Sequence, residues 1–205
     1  MDNSWLLRGM LLGLSIAAPV GPIGLLCIRR TLSDGNIAGL LSGLGAATAD
    51  AVYGSIAGFG LTYIASFLVQ QQMRLRLVGG IFLCYLGIRI FFSKPELTER
   101  QLRGRGWIGI YASTFLLTLT NPVTILSFTA VFAGMGLGSL SGDYAAAVTL
   151  VVGVFLGSVM WWLLVSTLVG IVRVRINDRI LQWVNRLSGM TIATFGVVAI
   201  FNLAK

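Results

Sequence analysis

Residues Ala18–Arg30 read APVGPIGLLCIRR. Pro19, Gly21, Pro22 and Gly24 fall inside a long apolar run, where a membrane helix would be expected to run straight. A proline inside a helix removes one backbone hydrogen bond and clashes with the carbonyl one turn earlier. In lipid the freed carbonyls need partners, so such backbone survives only inside protein or along a water-filled cavity. The four residues together can unwind a full turn.

The surrounding composition says why lipid is the relevant solvent. Of 205 residues, 56% are hydrophobic and 11% charged, with a mean hydropathy of +0.88. Soluble domains carry roughly a quarter charged residues, so the chain reads as a polytopic membrane protein. The segment MDNSWLLRGMLLGLSIAAPV has Asp2 before its apolar run and Arg8 within it. It lacks the basic n-region of a signal peptide and reads as a retained first helix. The net charge of +8 reports orientation in such a protein, not nucleic-acid binding. Cys27 and Cys84 belong to no CxxC pair, so no zinc or redox motif is visible. They read as small buried thiols.

A span needs about 20 apolar residues. On that rule six transmembrane helices are expected, at about residues 5–28, 38–67, 75–92, 108–133, 145–172 and 183–203. The charged stretch SKPELTERQLRGRG, 93–106, separates a first three-helix unit (1–92) from a second (107–205). One side of the membrane holds Arg8, Arg74, Arg76 and Lys205; the other holds the remaining 11 of 15 basic residues. The richer side is cytoplasmic, which puts both termini outside. Arg29 and Arg30 read as surface charges closing the first span on that side.

The two units resemble each other. Gly80 precedes Gly87 by seven residues in span three, as Gly189 precedes Gly196 in span six. Gly45, Asp50 and Tyr53 in span two match Gly153, Ser158 and Trp161 in span five at intervals of five and three. APVGPIG breaks span one, and Thr120, Asn121 and Pro122 break span four. Units with an odd number of spans must be inverted relative to each other. The expected fold is therefore an all-α membrane protein of six helices in two inverted three-helix repeats. Helix breaks at corresponding positions in such repeats point to a transporter's binding site.

Unwound backbone offers N–H and C=O groups to a polar ligand, and a half-helix N-terminus favours an anionic group. Among seven acids, Asp50 alone lies deep inside a span. An Asp there costs about 2.5–3.5 kcal/mol on insertion scales and is a functional-site hypothesis by default. It can bind an ammonium group, or carry a coupling proton in a chain that has no His. Tyr53 shares its helix face, whereas Thr48 does not. A cavity lined by Asp50 and Tyr53 opposite Ser158 and Trp161 is expected, although Trp161 and Trp162 fit an interfacial belt equally well. Gly9/Gly13, Gly39/Gly43, Gly54/Gly58 and Gly153/Gly157 have the small-xxx-small spacing of close helix packing.

PVGPIGLLCIRRTLSDGNIAGLLSGLGAATADAVYGSIAGFGL, GGIFLCYLGIR and TNPVTILSFTAVF together resemble the lysine-exporter (LysE/RhtB-type) translocator family over nearly the whole chain. The resemblance implies a bacterial inner-membrane exporter of amino acids or similar small metabolites, driven by protons and without a cofactor. It implies that Pro19, Gly21, Pro22, Asp50, Asn121 and Pro122 line the path. It leaves room for a homo-oligomer. Basic-amino-acid exporters of this family have P-L-G-P-Q-N where this chain has Pro19–Gly24, and an acid where it has Ser127. Those departures count against lysine or arginine, and neutral amino acids fit at least as well. Two alternatives are a thiol–disulfide relay, which would want paired cysteines, and a heavy-metal exporter, which would want more Cys, His or acid ligands.

Overall fold

The computed structural model describes residues 3–19, 21–59, 67, 70–93, 106–121, 123–128, 143–173 and 177–201. All its regular structure is helical: α1 (Asn3–Ala17), α2 (Pro22–Asp34), α3 (Asn36–Gly58), α4 (Gln72–Phe91), α5 (Trp107–Thr120), α6 (Tyr144–Arg173) and α7 (Asp178–Phe201). A further helical stretch covers residues 123–128.

The first break is sharper than a kink. The axes of α1 and α2 differ by 81°. Gly21 has an extended backbone (φ −103°, ψ −166°), and Pro22 opens α2, where its missing N–H costs nothing. The helix then runs on to Asp34, past the expected end of the span at residue 28. It stops at Gly35, whose φ of +98° and ψ of 170° lie in a region essentially restricted to glycine. The second break follows Thr120. Asn121 is extended (φ −76°, ψ 114°), as the residue before a proline prefers to be.

Small residues set the packing. α1 lies along α6, and α4 along α7; α3 packs on both α5 and α6, and α2 sits against α3. Gly9 and Gly13 of α1 abut the α6 backbone at Leu150 and Val154, while Gly153 and Gly157 abut α1 at Leu6 and Met10. In the α4–α7 pair a methyl group on Gly87 would sit 2.6 Å from the Gly189 carbonyl oxygen, and one on Gly196 would sit 2.7 Å from that of Gly80. Close backbone approach of this kind replaces the hydrophobic drive that is absent between helices in lipid.

The surface is apolar, and polar side chains are enclosed among the apolar residues of the interior. Leu11, Val78, Ile81, Ile88, Leu168 and Leu187 are exposed, whereas Asp50, Ser158, Thr31, Ser42, Thr114 and Asn185 are buried. α6 and α7 are each long and apolar enough to cross a bilayer alone, and α1 with α2 make a third candidate as a bent pair.

Arg29 and Arg30 are not surface charges. They are 7% and 4% exposed. Because α2 turns into the bundle after the break, both guanidinium groups meet polar side chains of other helices. Arg29 donates to Asn185 Oδ1 on α7 (3.0 Å) and to Ser93 Oγ (3.2 Å). Arg30 donates to Ser42 Oγ on α3 (2.8 Å), and on α5 to Thr114 Oγ1 (2.7 Å), Ser113 Oγ (2.8 Å) and the Ile110 carbonyl (3.0 Å). The last turns of α2 are thereby tied to α3, α5 and α7.

Candidate functional site

Asp50 lies midway along α3 and is 3% exposed. Its Oδ2 accepts a 2.7 Å hydrogen bond from Ser158 Oγ on α6. The two residues that correspond by interval between the halves therefore touch. A buried carboxylate is tolerable only with such a partner, and this bond spans the α3–α6 contact.

Beside Asp50 is a cavity of 270 Å³. Its wall comes from both chain breaks and from three long helices. Pro19 and Gly21 come from the first break, Pro22 and Gly24 from the start of α2, and Asn121 and Thr124 from the second break. Asp50, Trp162 and Phe195 are contributed by α3, α6 and α7. Segments far apart in sequence thus converge on one space. Most of the remaining wall is apolar, including Ile16, Ala17, Ile23, Ala46 and Val123.

The first break presents polar backbone here. The Gly21 N–H donates to the Pro19 carbonyl (2.9 Å), and the Gly21 carbonyl accepts from the Leu25 N–H (3.0 Å). Among the described residues no side chain caps α2. Helix geometry leaves the N–H groups of Ile23 and Gly24 without intrahelical partners. The second break is more self-contained. The Asn121 amide donates to Thr124 Oγ1 (3.0 Å) and accepts from the Val123 N–H (3.2 Å).

Other expected residues stand apart from the cavity. The Tyr53 hydroxyl donates to the Leu119 carbonyl (2.6 Å), and its ring stacks on Phe128 at 5.3 Å. Thr120 Oγ1 turns back to the Leu116 and Leu117 carbonyls, and Thr48 Oγ1 to that of Leu44. Ser158 reaches the site through Asp50. Trp161 is half-buried and Trp162 is the tryptophan in the wall. Pro122 lies outside the described residues. Trp162 has a sequence signal: it follows Ser158 by four residues, on the same helix face. The corresponding step back from Asp50 reaches Ala46, which also lines the cavity.

Neither thiol is disulfide-bonded. Cys27 is fully buried in the core. Cys84 faces α7, its Sγ 3.8 Å from the Ala193 carbonyl.

Residues 14–203 match the family described as LysE type translocator. The chain belongs to that family. This translocator is 28% identical, over 193 residues, to "Putative amino acid efflux protein YcgF" of Bacillus subtilis (strain 168), covering 91% of this chain and 90% of the relative. It is 26% identical, over 178 residues, to "Uncharacterized membrane protein YahN" of Escherichia coli (strain K12), covering 85% and 79%. No solved structure matches it significantly.

Proposed function

We propose that this translocator exports amino acids or related small metabolites across a bacterial inner membrane, coupled to protons, through a central site formed by the two breaks and Asp50. The observation that carries the reading is the shared cavity: Pro19, Gly21, Pro22, Asp50 and Asn121 all contribute to its wall. A carboxylate and uncapped helix N–H groups around one space suit the two ends of an amino acid. Asp50 is also the residue available to carry a proton there, in a chain without His. The efflux named for the Bacillus relative agrees.

The fold that serves this function is six spans in two inverted repeats, with both termini outside. Its support is that observed contacts exchange under the swap of halves. The α1–α6 contact exchanges with α5–α3, while α4–α7 and α3–α6 exchange with themselves. At residue level, Gly80–Gly196 exchanges with Gly189–Gly87, and Asp50–Ser158 with itself.

A growth screen tests the function. Expression should relieve the toxicity of at least one amino acid supplied in excess. In vesicles, an imposed pH gradient should drive its flux. A flux indifferent to pH in active vesicles would remove proton coupling, and relief of no amino acid would remove the substrate class.

A further inference from the structure

Three helices that wall the cavity meet again beyond it. Ile23 on α2, Ala46 on α3 and Thr118 on α5 line the cavity. Ser42 precedes Ala46 by four residues and Thr114 precedes Thr118 by four, so each shares a helix face with a lining residue. On α2, Cys27 and Arg30 follow Ile23 by four and seven residues, again along one face. The three faces are joined at Arg30. Its Nη1 donates to Ser42 Oγ on α3 (2.8 Å) and to Thr114 Oγ1 on α5 (2.7 Å), and its Nη2 to Ser113 Oγ (2.8 Å). Arg30, Ser42 and Thr114 are all buried. They form a polar layer about one helical turn from the cavity, on the side where α2 ends and α5 begins. Between cavity and layer lies Cys27, fully buried in one apolar cluster with Ile23, Ala46 and Leu117.

An apolar side chain would close such a layer without desolvating a charge. What arginine adds is reversibility, because its hydrogen bonds exchange for bonds to water at a small net cost. The helix that carries it is also placed to move. α2 is 13 residues long and lies between two non-helical joints, Gly21 with an extended backbone and Gly35 with φ +98°. Residues at element ends absorb the φ/ψ changes of hinge motions. Resting on the central-site reading above, we infer that Arg30 is a gating residue. Bound to Ser42, Ser113 and Thr114, its guanidinium closes the cavity on the side where α2 ends. The cavity opens to that side when α2 swings and Arg30 exchanges these acceptors for water. Arg29, bonded to Asn185 and Ser93, fastens the same turn of α2 and is released with it. In the six-span orientation this side is cytoplasmic, so the layer governs entry of substrate into an exporter.

Cys27 is a native reporter of this motion. Membrane vesicles of both orientations are treated with 2-(trimethylammonium)ethyl methanethiosulfonate, a cationic thiol reagent that does not cross bilayers. The rates at Cys27 and Cys84 are read separately by peptide mass spectrometry. Cys84, on α4 against α7, reports general loosening. Thr114→Val keeps the side-chain shape and removes one acceptor of Arg30. It should speed labelling of Cys27 by about tenfold, the usual size of a lost bond to a charged group. Arg30→Met removes every donor and should speed it further. In both variants the gain should come from one face of the membrane only, and Cys84 should be unchanged. A wild-type rate at Cys27 in either folded variant, or an equal gain from both faces, overturns the gate. An equal gain at Cys84 assigns Arg30 a structural role alone and overturns it too. The underlying site is tested apart from the gate, because Asp50→Asn leaves the bonds of Arg30 in place. Normal transport by that variant refutes the site, whatever the rate at Cys27.

Discussion

The Asp50–Ser158 bond carries a prediction that can be worked from its geometry. Hydrogen bonds between membrane helices average about 0.6 kcal/mol in double-mutant cycles and reach about 1.7. This one belongs near the upper end. It is 2.7 Å long, its hydroxyl belongs to a fully buried residue and its acceptor to one 3% exposed, and bonds to carboxylates are the stronger kind. The perturbation is a cycle of Asp50→Ala, Ser158→Ala and the double variant, unfolded by SDS titration in mixed micelles. Ser158→Ala alone leaves the carboxylate short of a donor and should cost about 1–3 kcal/mol. The coupling energy should be about 1–1.7 kcal/mol, a factor of about 5–20 in the unfolding equilibrium. Asp50→Asn keeps an acceptor for Ser158 and should retain part of the coupling. Additive single effects, with coupling below about 0.5 kcal/mol, the usual scatter for independent sites, would refute the bond as a link between α3 and α6.

Arg30→Lys cannot reproduce a planar fork that meets Ser42, Ser113, Thr114 and the Ile110 carbonyl, and should cost about 2–4 kcal/mol in the same titration; a wild-type midpoint would contradict it. Gly87→Val drives a branched side chain into the backbone of Gly189 and Ala193 and should lose about 1–3 kcal/mol or more. Gly21→Ala meets nothing within 4 Å among the described residues and should unfold within about 0.5 kcal/mol of wild type; the reverse ranking would undo the packing argument. Joint replacement of Cys27 and Cys84 by alanine should leave transport intact in flux assays, whereas its abolition would favour a thiol relay.

Several of these features are legible in the sequence because they depend on spacing. The interval of five from Gly45 to Asp50, repeated from Gly153 to Ser158, marks two side chains that hydrogen-bond. The seven-residue glycine pairs mark the tight α4–α7 contact. Other features depend on direction. Tyr53 lies three residues after Asp50 yet turns to α5 and Phe128, and on α6 the residue four after Ser158, not three, reaches the cavity. Arg29 and Arg30 misled for a different reason. Two arginines near Asp34-Gly35 have the composition of a membrane-surface loop. The 81° bend carries them into the bundle instead, where hydroxyls scattered over α3 and α5 receive Arg30. Composition alone does not reveal a set of partners so dispersed in sequence.

The central claim is that the cavity beside Asp50 is where substrate and proton meet. Its most direct test is amino-acid uptake into inverted membrane vesicles under an imposed pH gradient, comparing wild type with Asp50→Asn at equal amounts of folded protein. The account predicts gradient-driven uptake by the wild type and none by the variant. Normal gradient-driven uptake by Asp50→Asn would contradict it.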